Sequence, residues 1–425
     1  MITITGILML ILFAAGMPVA FSIIIVSVFG LLILGNVPLS VVPHRMIAGA
    51  DSFPMMAIPF FLLAGSLMNT GGVTRRLVNF ASTLVGRMPG GLAHVNIVTN
   101  MIMAGMSGSA LADAAGTGSI LIPAMRQGGY PAAFSAVVTS CASTIGPIIP
   151  PSIPFVVIGS MVGISIGRLF LGGAIPGTIM GIYLMVVAYI ISKRRGYTPY
   201  TKSSLKEIIK AFREALLALL LPIIILGGIL GGVFTPTEAA VIAAVYAFVL
   251  GVFVFKEIKA KHLPRIFLEA GMTTASLMFI VAAASVLGWL LSREQAGLKL
   301  VDAFLSISNN PWVVLFILNI ILLILGCLME TYAIMIILVP VLMPLVKNLG
   351  IDTVHFGVVV VLNLCIGLVT PPFGMGMFIV CRLADIKVME FVRELPIFLI
   401  ALLAALFTIT FFPSLVTFLP RLLMG

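Results

Sequence analysis

The chain has 425 residues, 61% of them hydrophobic and only 9% charged, and its mean hydropathy is +1.25. A soluble domain carries about a quarter charged residues, so a water-soluble core of this length is excluded and lipid is the solvent for most of the chain. The net charge of +10 rests on 24 Lys and Arg that cluster between apolar segments, a topogenic placement that argues against a nucleic-acid surface.

In chain order, the first apolar segment, Ile2–Ala15, has neither a basic leader nor a clear cleavage site and is expected to stay as a membrane helix. Pro18–Leu34 and Ala50–Met68 follow, then an amphipathic stretch, Thr74–Met88, too short and polar to span and read as an interfacial arm. Leu92–Met125 is a paired segment, Pro131–Val162 a segment broken by prolines, and Leu169–Ile191 a further span. A basic linker over 193–214 leads to a second series: Ala215–Val233, Pro236–Phe255, Leu268–Leu291, the arm Leu298–Ser308, the pair Trp312–Val346, the broken segment Val354–Val380, and Leu395–Leu415.

The two series are copies. IGPIIPP (Ile145–Pro151) recurs as IGLVTPP (Ile366–Pro372) at an offset of 221 residues, and the same register pairs Gly105 with Gly326, Pro123 with Pro344, Arg126 with Lys347 and Gly129 with Gly350. Looser matches join Phe170 to Phe391, Pro176 to Pro396 and Met17–Ile23 to Thr235–Ile242. Residues 1–200 thus form one repeat and 215–425 the other. Each crosses the membrane an odd number of times, so the second must insert upside down, the inverted-repeat architecture of secondary transporters. With both termini outside, 18 basic residues fall in inner loops and 6 in outer ones, as the positive-inside rule requires.

The paired segment turns at Ser107, Gly108 and Ser109. Arms of fifteen or sixteen residues rise about 23 Å, short of a hydrocarbon core of about 30 Å, which predicts a re-entrant hairpin. The second pair turns near Gly326–Thr331, and its longer arms leave a hairpin and two full crossings both open. The stretches Gly146, Pro147, Pro150, Pro151 and Gly367, Thr370, Pro371, Pro372 cannot be continuous helix, because proline removes a donor and clashes with the preceding turn. Broken backbone at membrane depth must be buried in protein or line a cavity. The carbonyls that end an entering half-helix suit Na⁺; the N–H groups that begin a leaving one suit a carboxylate. Hydroxyls at Ser107, Ser109, Thr144, Thr331 and Thr370 add oxygen ligands of the kind hard cations take. Asp113, one turn past the first tip, and Glu330, at the second, are acids at membrane depth and candidates for an ion site.

Other features are read more plainly. Glu238 after Pro236 is expected to cap a helix start, and Gly227–Gly232 (GGILGG) to allow close helix packing. The four histidines fall near loop ends with no ligand spacing, and the four cysteines stand alone, so no metal or disulfide framework is indicated. Gly105-Met106-Ser107-Gly108 matches the G-x-S-G of intramembrane serine proteases, but His94 lies thirteen residues away, about 20 Å along one helix, too far to act as base. A proton-pumping subunit is disfavoured because no chain of buried Lys, Glu and His runs through the segments.

Four motifs, GMSGSALADAAGTGSILIPAM, IGPIIPPSIP, GVFTPTEAA and IGLVTPPFG, resemble the large membrane subunit of TRAP (tripartite ATP-independent periplasmic) transporters, the DctM type, and the resemblance covers essentially the whole chain. It implies an all-α polytopic membrane protein: an elevator-type secondary transporter of the bacterial inner membrane, with two re-entrant hairpins (92–125, 312–346), two broken helices (131–162, 354–380) and a fixed scaffold of remaining helices. It implies Na⁺ as coupling ion with no other cofactor, a small four-helix membrane subunit (DctQ type), and a periplasmic substrate-binding protein (DctP type). Substrates would be carboxylates such as C4-dicarboxylates or sialic and other sugar acids. Tips (107–109, 326–331) and breaks (146–151, 367–372) would then form the Na⁺ and substrate sites. Some members fuse the small subunit at the front; this sequence has no such segment, so the subunit is expected as a separate chain or outside this sequence. A stand-alone Na⁺/dicarboxylate carrier of the same superfamily is the alternative.

Overall fold

Backbone in lipid must satisfy its own hydrogen bonds, which leaves helices or closed barrels as solutions. In a computed structural model describing residues 2–201 and 203–425, the described residues form helices and short connections only. The first series is α1 (Ile2–Ala14), α2 (Val19–Leu34), α3 (Val41–Ala50), a tight turn at Phe53–Met56, α4 (Ala57–Thr70), the amphipathic α5 (Val73–Val85), the pair α6 (Gly91–Ser107) and α7 (Ala110–Gln127), the half-helices α8 (Ala132–Ser143) and α9 (Ile153–Val162), and α10 (Ile166–Arg195). The second is α11 (Leu205–Leu230), α12 (Pro236–Val249), α13 (Leu263–Arg293), α14 (Ala296–Ile307), the pair α15 (Pro311–Leu328) and α16 (Thr331–Asn348), the half-helices α17 (Thr353–Gly367) and α18 (Met375–Ala384), α19 (Val388–Phe411) and α20 (Ser414–Met424). Among the described residues, eight helices are long and apolar enough to cross a membrane.

Local chemistry explains where these helices begin. At α11, Ser204 N–H donates to Glu207 Oε2 (2.7 Å) and Glu207 N–H to Ser204 Oγ (3.3 Å), a capping box inside the basic linker that starts the helix ten residues before the apolar run. The same device at Thr235 and Glu238 starts α12 behind Pro236, so Glu238 is the cap the sequence suggests. Two helices escape hydropathy reading: α3, interrupted in composition by Pro43, His44 and Arg45, and α20, with Pro420 and Arg421.

Each series lends its leading helices to the other. α4 packs on α12, and α2 and α3 pack on α13. The half-helices and hairpins gather separately: α18 lies against α7 and α8, α16 against α9 and α17, and α10 against α19 and α20. Phe134, Phe155, Phe170, Phe356, Phe391 and Phe398 are fully buried among them. The arm α5 is tied at its start by the Arg75–Glu257 ion pair and by Arg76, whose guanidinium lies 3.8 Å from the Phe255 ring centre. At its end, Tyr200 N–H donates to Gly86 O (2.8 Å), which stitches the α5–α6 and α10–α11 connections together.

Glycines serve close approach in only some of the expected places. At Gly173 of α10 a Cβ would run into the Ile148 carbonyl and the Phe155 ring. In the GGILGG run, however, Gly227 and Gly232 have open space, and Gly228 is covered by Phe234 of the following turn. That run does not make the inter-helix seam its spacing suggests. Gly173→Leu is therefore expected to destabilise the protein by about 1–3 kcal/mol through overpacking. Gly227→Ala should be neutral or stabilising by up to about 1 kcal/mol; thermal unfolding of both variants in detergent checks the contrast.

Candidate functional site

Each hairpin tip sits on the proline break of its own half. In the first, Gly108 adopts φ +60°, and a Cβ there would come within 2.6 Å of the Pro151 carbonyl and 3.2 Å of Ile153 N, so only glycine permits the approach. Ser109 caps α7, its Oγ accepting from Ala112 N–H (3.5 Å), and Ser109 N–H donates to Ser107 Oγ (3.4 Å). In the second half, Gly326 and Gly367 meet backbone to backbone, and Phe373 N–H donates to Cys327 O across the same junction (3.2 Å). Both breaks contain a cis peptide, Pro150–Pro151 and Pro371–Pro372.

Asp113 is fully buried and faces the Gly146 backbone, with the Ser107 hydroxyl beside it. Among the described residues neither carboxylate oxygen has a donor in hydrogen-bonding geometry. An unpaired acid in such a place is costly unless a cation or proton joins it. Thr144 is buried behind this junction, its Oγ1 donating to Cys141 O (2.7 Å), and Ser152 Oγ donates to Pro147 O (2.5 Å). Thr370 Oγ1 donates to Ile366 O (2.8 Å) and Thr331 Oγ1 to Leu364 O (3.4 Å), which leaves hydroxyl lone pairs free to accept or to ligate.

The two halves meet at a small cavity of about 30 Å³, enough for one water-sized group. Ser109 and Pro147 line it from one half, Glu330, Thr331 and Leu368 from the other. A second, larger cavity of about 690 Å³ adjoins it, sharing Glu330, Leu368 and Met375 and bounded by Gly326, Gly367 and the α1–α2 turn. The breaks are unequal: Pro150 and Pro151 are buried, whereas Pro372 and Phe373 are exposed. Of the residues singled out from sequence, Ser109, Pro147, Gly326, Glu330, Thr331 and Gly367 line one cavity or both, Ser107, Gly108, Asp113, Gly146, Pro150 and Pro151 form the covered junction behind, and Thr144, Thr370, Pro371 and Pro372 line neither.

The polarity expected at the leaving half-helices is partly used up. The first turn of α9 is capped by Ser152 Oγ, which accepts from Phe155 N–H (3.2 Å). At α18 the Gly376 and Met377 N–H groups both donate to Leu368 O (3.0 and 3.3 Å). The starts of α7 and α16, through Ala110, Leu111, Thr331 and Tyr332, line the shared cavity, and no side chain caps α16. These are the positive helix ends that face the space between the halves. Two histidines are buried at helix starts: His94 in the first turn of α6, and His355 in the first turn of α17, with its Nε2 3.0 Å from Ile409 O. Ser107 and His94 share α6 at about 20 Å separation, so they are not a nucleophile and base.

Buried amides escaped the sequence reading. Asn96 Nδ2 donates to Thr139 Oγ1 (2.7 Å), Asn100 Nδ2 to Asn96 Oδ1 (2.9 Å), and Thr117 Oγ1 to Asn100 Oδ1 (3.2 Å) and Asp113 O (2.7 Å), joining α6, α7 and α8. In the other half Asn363 Nδ2 donates to Asn319 Oδ1 (2.8 Å) and Asn319 Nδ2 to Thr410 Oγ1 (3.0 Å), joining α15, α17 and α19. The available signal was two amides one turn apart, Asn96 and Asn100, inside an apolar run.

Comparison with known proteins agrees in extent. A family model described as "Tripartite ATP-independent periplasmic transporter, DctM component" matches residues 6–415. The chain is 44% identical over 411 residues, 97% of this chain and 96% of the other, to the sialic acid TRAP transporter large permease protein SiaM of Vibrio cholerae. It is 39% identical over 377 residues, 89% of this chain and 88% of the other, to the C4-dicarboxylate TRAP transporter large permease protein DctM of Pseudomonas aeruginosa. In fold it is similar to the Alcanivorax borkumensis YdaH transporter, whose crystal structure is described as having an unusual topology (TM-score 0.61, 14% identity, 87% of each chain).

Because Asn100 bridges both arms of the first hairpin, Asn100→Ala is expected to lower stability by about 1–2 kcal/mol. An unfolding midpoint in lipid nanodiscs equal to that of the unaltered chain would show that the network contributes nothing.

Proposed function

We propose, for a chain that belongs to the DctM component family of tripartite ATP-independent periplasmic transporters, Na⁺-coupled symport of an organic anion across the bacterial inner membrane. As a large permease it would act with a small membrane subunit and receive its substrate from a periplasmic binding protein. The relatives that transport sialic acid and C4-dicarboxylates support a carboxylate as substrate.

One observation carries the coupling. Among the described residues, neither central cavity is lined by Lys, Arg or His, yet Glu330 lines both and Asp113 is buried behind the first tip. An anion brought into this space gains only helix-end dipoles and faces two acidic side chains, so co-bound cations would supply the positive charge it lacks. The first Na⁺ position is assigned to the junction of Ser107, Ser109, Asp113 and the 144–147 backbone. The second is assigned to Gly326, Glu330, Gly367 and Thr370. The anion's carboxylate would sit at the starts of α7 and α16, with its body in the larger cavity, whose volume suits a small ligand.

The packing supports a reading of how the protein moves. Hairpins and broken helices gather as one group, and the cross-packed leading helices as another. The reading is that the first group slides against the second as an elevator, in two oppositely inserted copies with both termini periplasmic. The exposed second break beside a covered first break supports a state open on one side only.

Proteoliposomes holding the chain and its small subunit, under an inward Na⁺ gradient and supplied with binding protein and a labelled sialic acid or C4-dicarboxylate, test this. Asp113→Asn is expected to raise the Na⁺ concentration for half-maximal uptake by at least about tenfold, the loss of one charged ligand. Thr370→Val should weaken Na⁺ dependence at the second position, and an unchanged apparent Na⁺ affinity in either variant removes that residue from its site. Uptake that survives omission of the binding protein would favour a stand-alone carrier instead.

A further inference from the structure

The first turns of α11 combine charge and exposed apolar surface in a way that neither water nor hydrocarbon alone accommodates. Lys206, Lys210 and Arg213 recur at helical spacing and, with Leu205, Ile209 and Glu214, line a surface groove of about 630 Å³. Among the described residues none of these three cations has a carboxylate within ion-pair distance; the pairs formed are Arg75 and Arg76 with Glu257, Arg195 with Glu394, and Arg265 with Glu269. Glu207 is committed to the Ser204 cap, so Glu214 is the one acid of the groove and the local charge stays positive.

The apolar side is as marked. Leu205 is 72% exposed and Ile209, Phe212 and Leu216 are exposed as well, on the same turns as the cations. Phe212 leans on Phe80 of the arm α5, ring centres 5.7 Å apart, so the amphipathic arm lies alongside. Length explains the depth. A helix of 26 residues rises about 39 Å, some 9 Å more than a hydrocarbon core of about 30 Å. The excess falls at the end that carries Lys206 and Lys210, where long basic side chains reach headgroups while their stems and neighbours stay among acyl chains.

We propose that this groove holds an anionic phospholipid, its phosphate on Lys206, Lys210 and Arg213 and its acyl chains along Leu205, Ile209 and Phe212. The inference rests on membrane embedding and charge complementarity and is independent of the ion and substrate assignments above. The test uses the full chain, alone and with its small subunit, in nanodiscs of phosphatidylcholine containing phosphatidylglycerol, with native mass spectrometry of the lipids retained on release. The unaltered chain is expected to keep phosphatidylglycerol over phosphatidylcholine. The combined variant Lys206→Gln, Lys210→Gln, Arg213→Gln should lose that preference by at least about tenfold, and Lys206→Arg with Lys210→Arg should keep it, which separates lost charge from a misfolded helix. Equal retention of the two lipids, an unaltered preference in the glutamine variant, displacement of the lipid by inorganic phosphate, or its expulsion when the small subunit binds would each overturn the proposal.

Discussion

Everything central to this structure depends on covering interrupted backbone in a solvent that offers no hydrogen bonds. Pro147 ends α8 and the Pro371–Pro372 pair ends α17 in the middle of apolar segments, and the peptide groups released there need protein around them. The cover is a hairpin tip of the same half. Gly108 lies on the Pro151 carbonyl, Gly326 on Gly367, and the Cys327 carbonyl accepts the Phe373 N–H. A residue with a side chain at Gly108 or Gly367 would lift tip from break, so glycine there follows from close approach and not from turn chemistry alone.

A second consequence is electrostatic. Bringing tips and breaks together concentrates helix ends, hydroxyls and two carboxylates in a region whose described lining holds no basic side chain. This is the feature from which the Na⁺-coupled reading is proposed. Arg75 and Arg76 tie the arm α5 through Glu257, and among the described residues Lys206, Lys210 and Arg213 in the first turns of α11 have no carboxylate within ion-pair distance. The buried amide networks complete the arrangement by joining each hairpin to its broken helix with side-chain hydrogen bonds. Such bonds are individually modest in a membrane but hold specific partners in register.

Much of the fold was legible from the chain itself. Hydropathy marked the apolar segments, the repeated IGxxxPP stretches marked the two interruptions, and the turn at Ser107–Ser109 with its counterpart near Gly326–Thr331 marked the tips. Legibility failed where composition and structure part company. α3 and α20 are short helices diluted by proline and arginine, and α11 starts within a basic run because a Ser–Glu cap overrides the charge pattern. GGILGG shows the converse: spacing suited to a helix seam, with open space at Gly227 and Gly232. At the site, the hydroxyls and acids were visible as residue types, whereas the amides Asn100 and Asn363 acquire meaning only through partners on other helices.

The sequence by itself determined that lipid surrounds this chain, that it is written twice, and where its backbone must break, since hydropathy and proline sterics are local properties. Tertiary structure alone decided which parts of those interruptions face one another. It placed Ser109 and Pro147 opposite Glu330, Thr331 and Leu368, consumed the amides of α18 on the Leu368 carbonyl, and left the starts of α7 and α16 turned toward the shared space. The physical reason is that the pairing of the two halves joins residues some two hundred positions apart, while the α18 amides turn on a carbonyl eight and nine residues back only because the broken backbone folds over itself. They are set by how glycine-lined helices pack and by which donors have already found acceptors, and neither is written in any one segment.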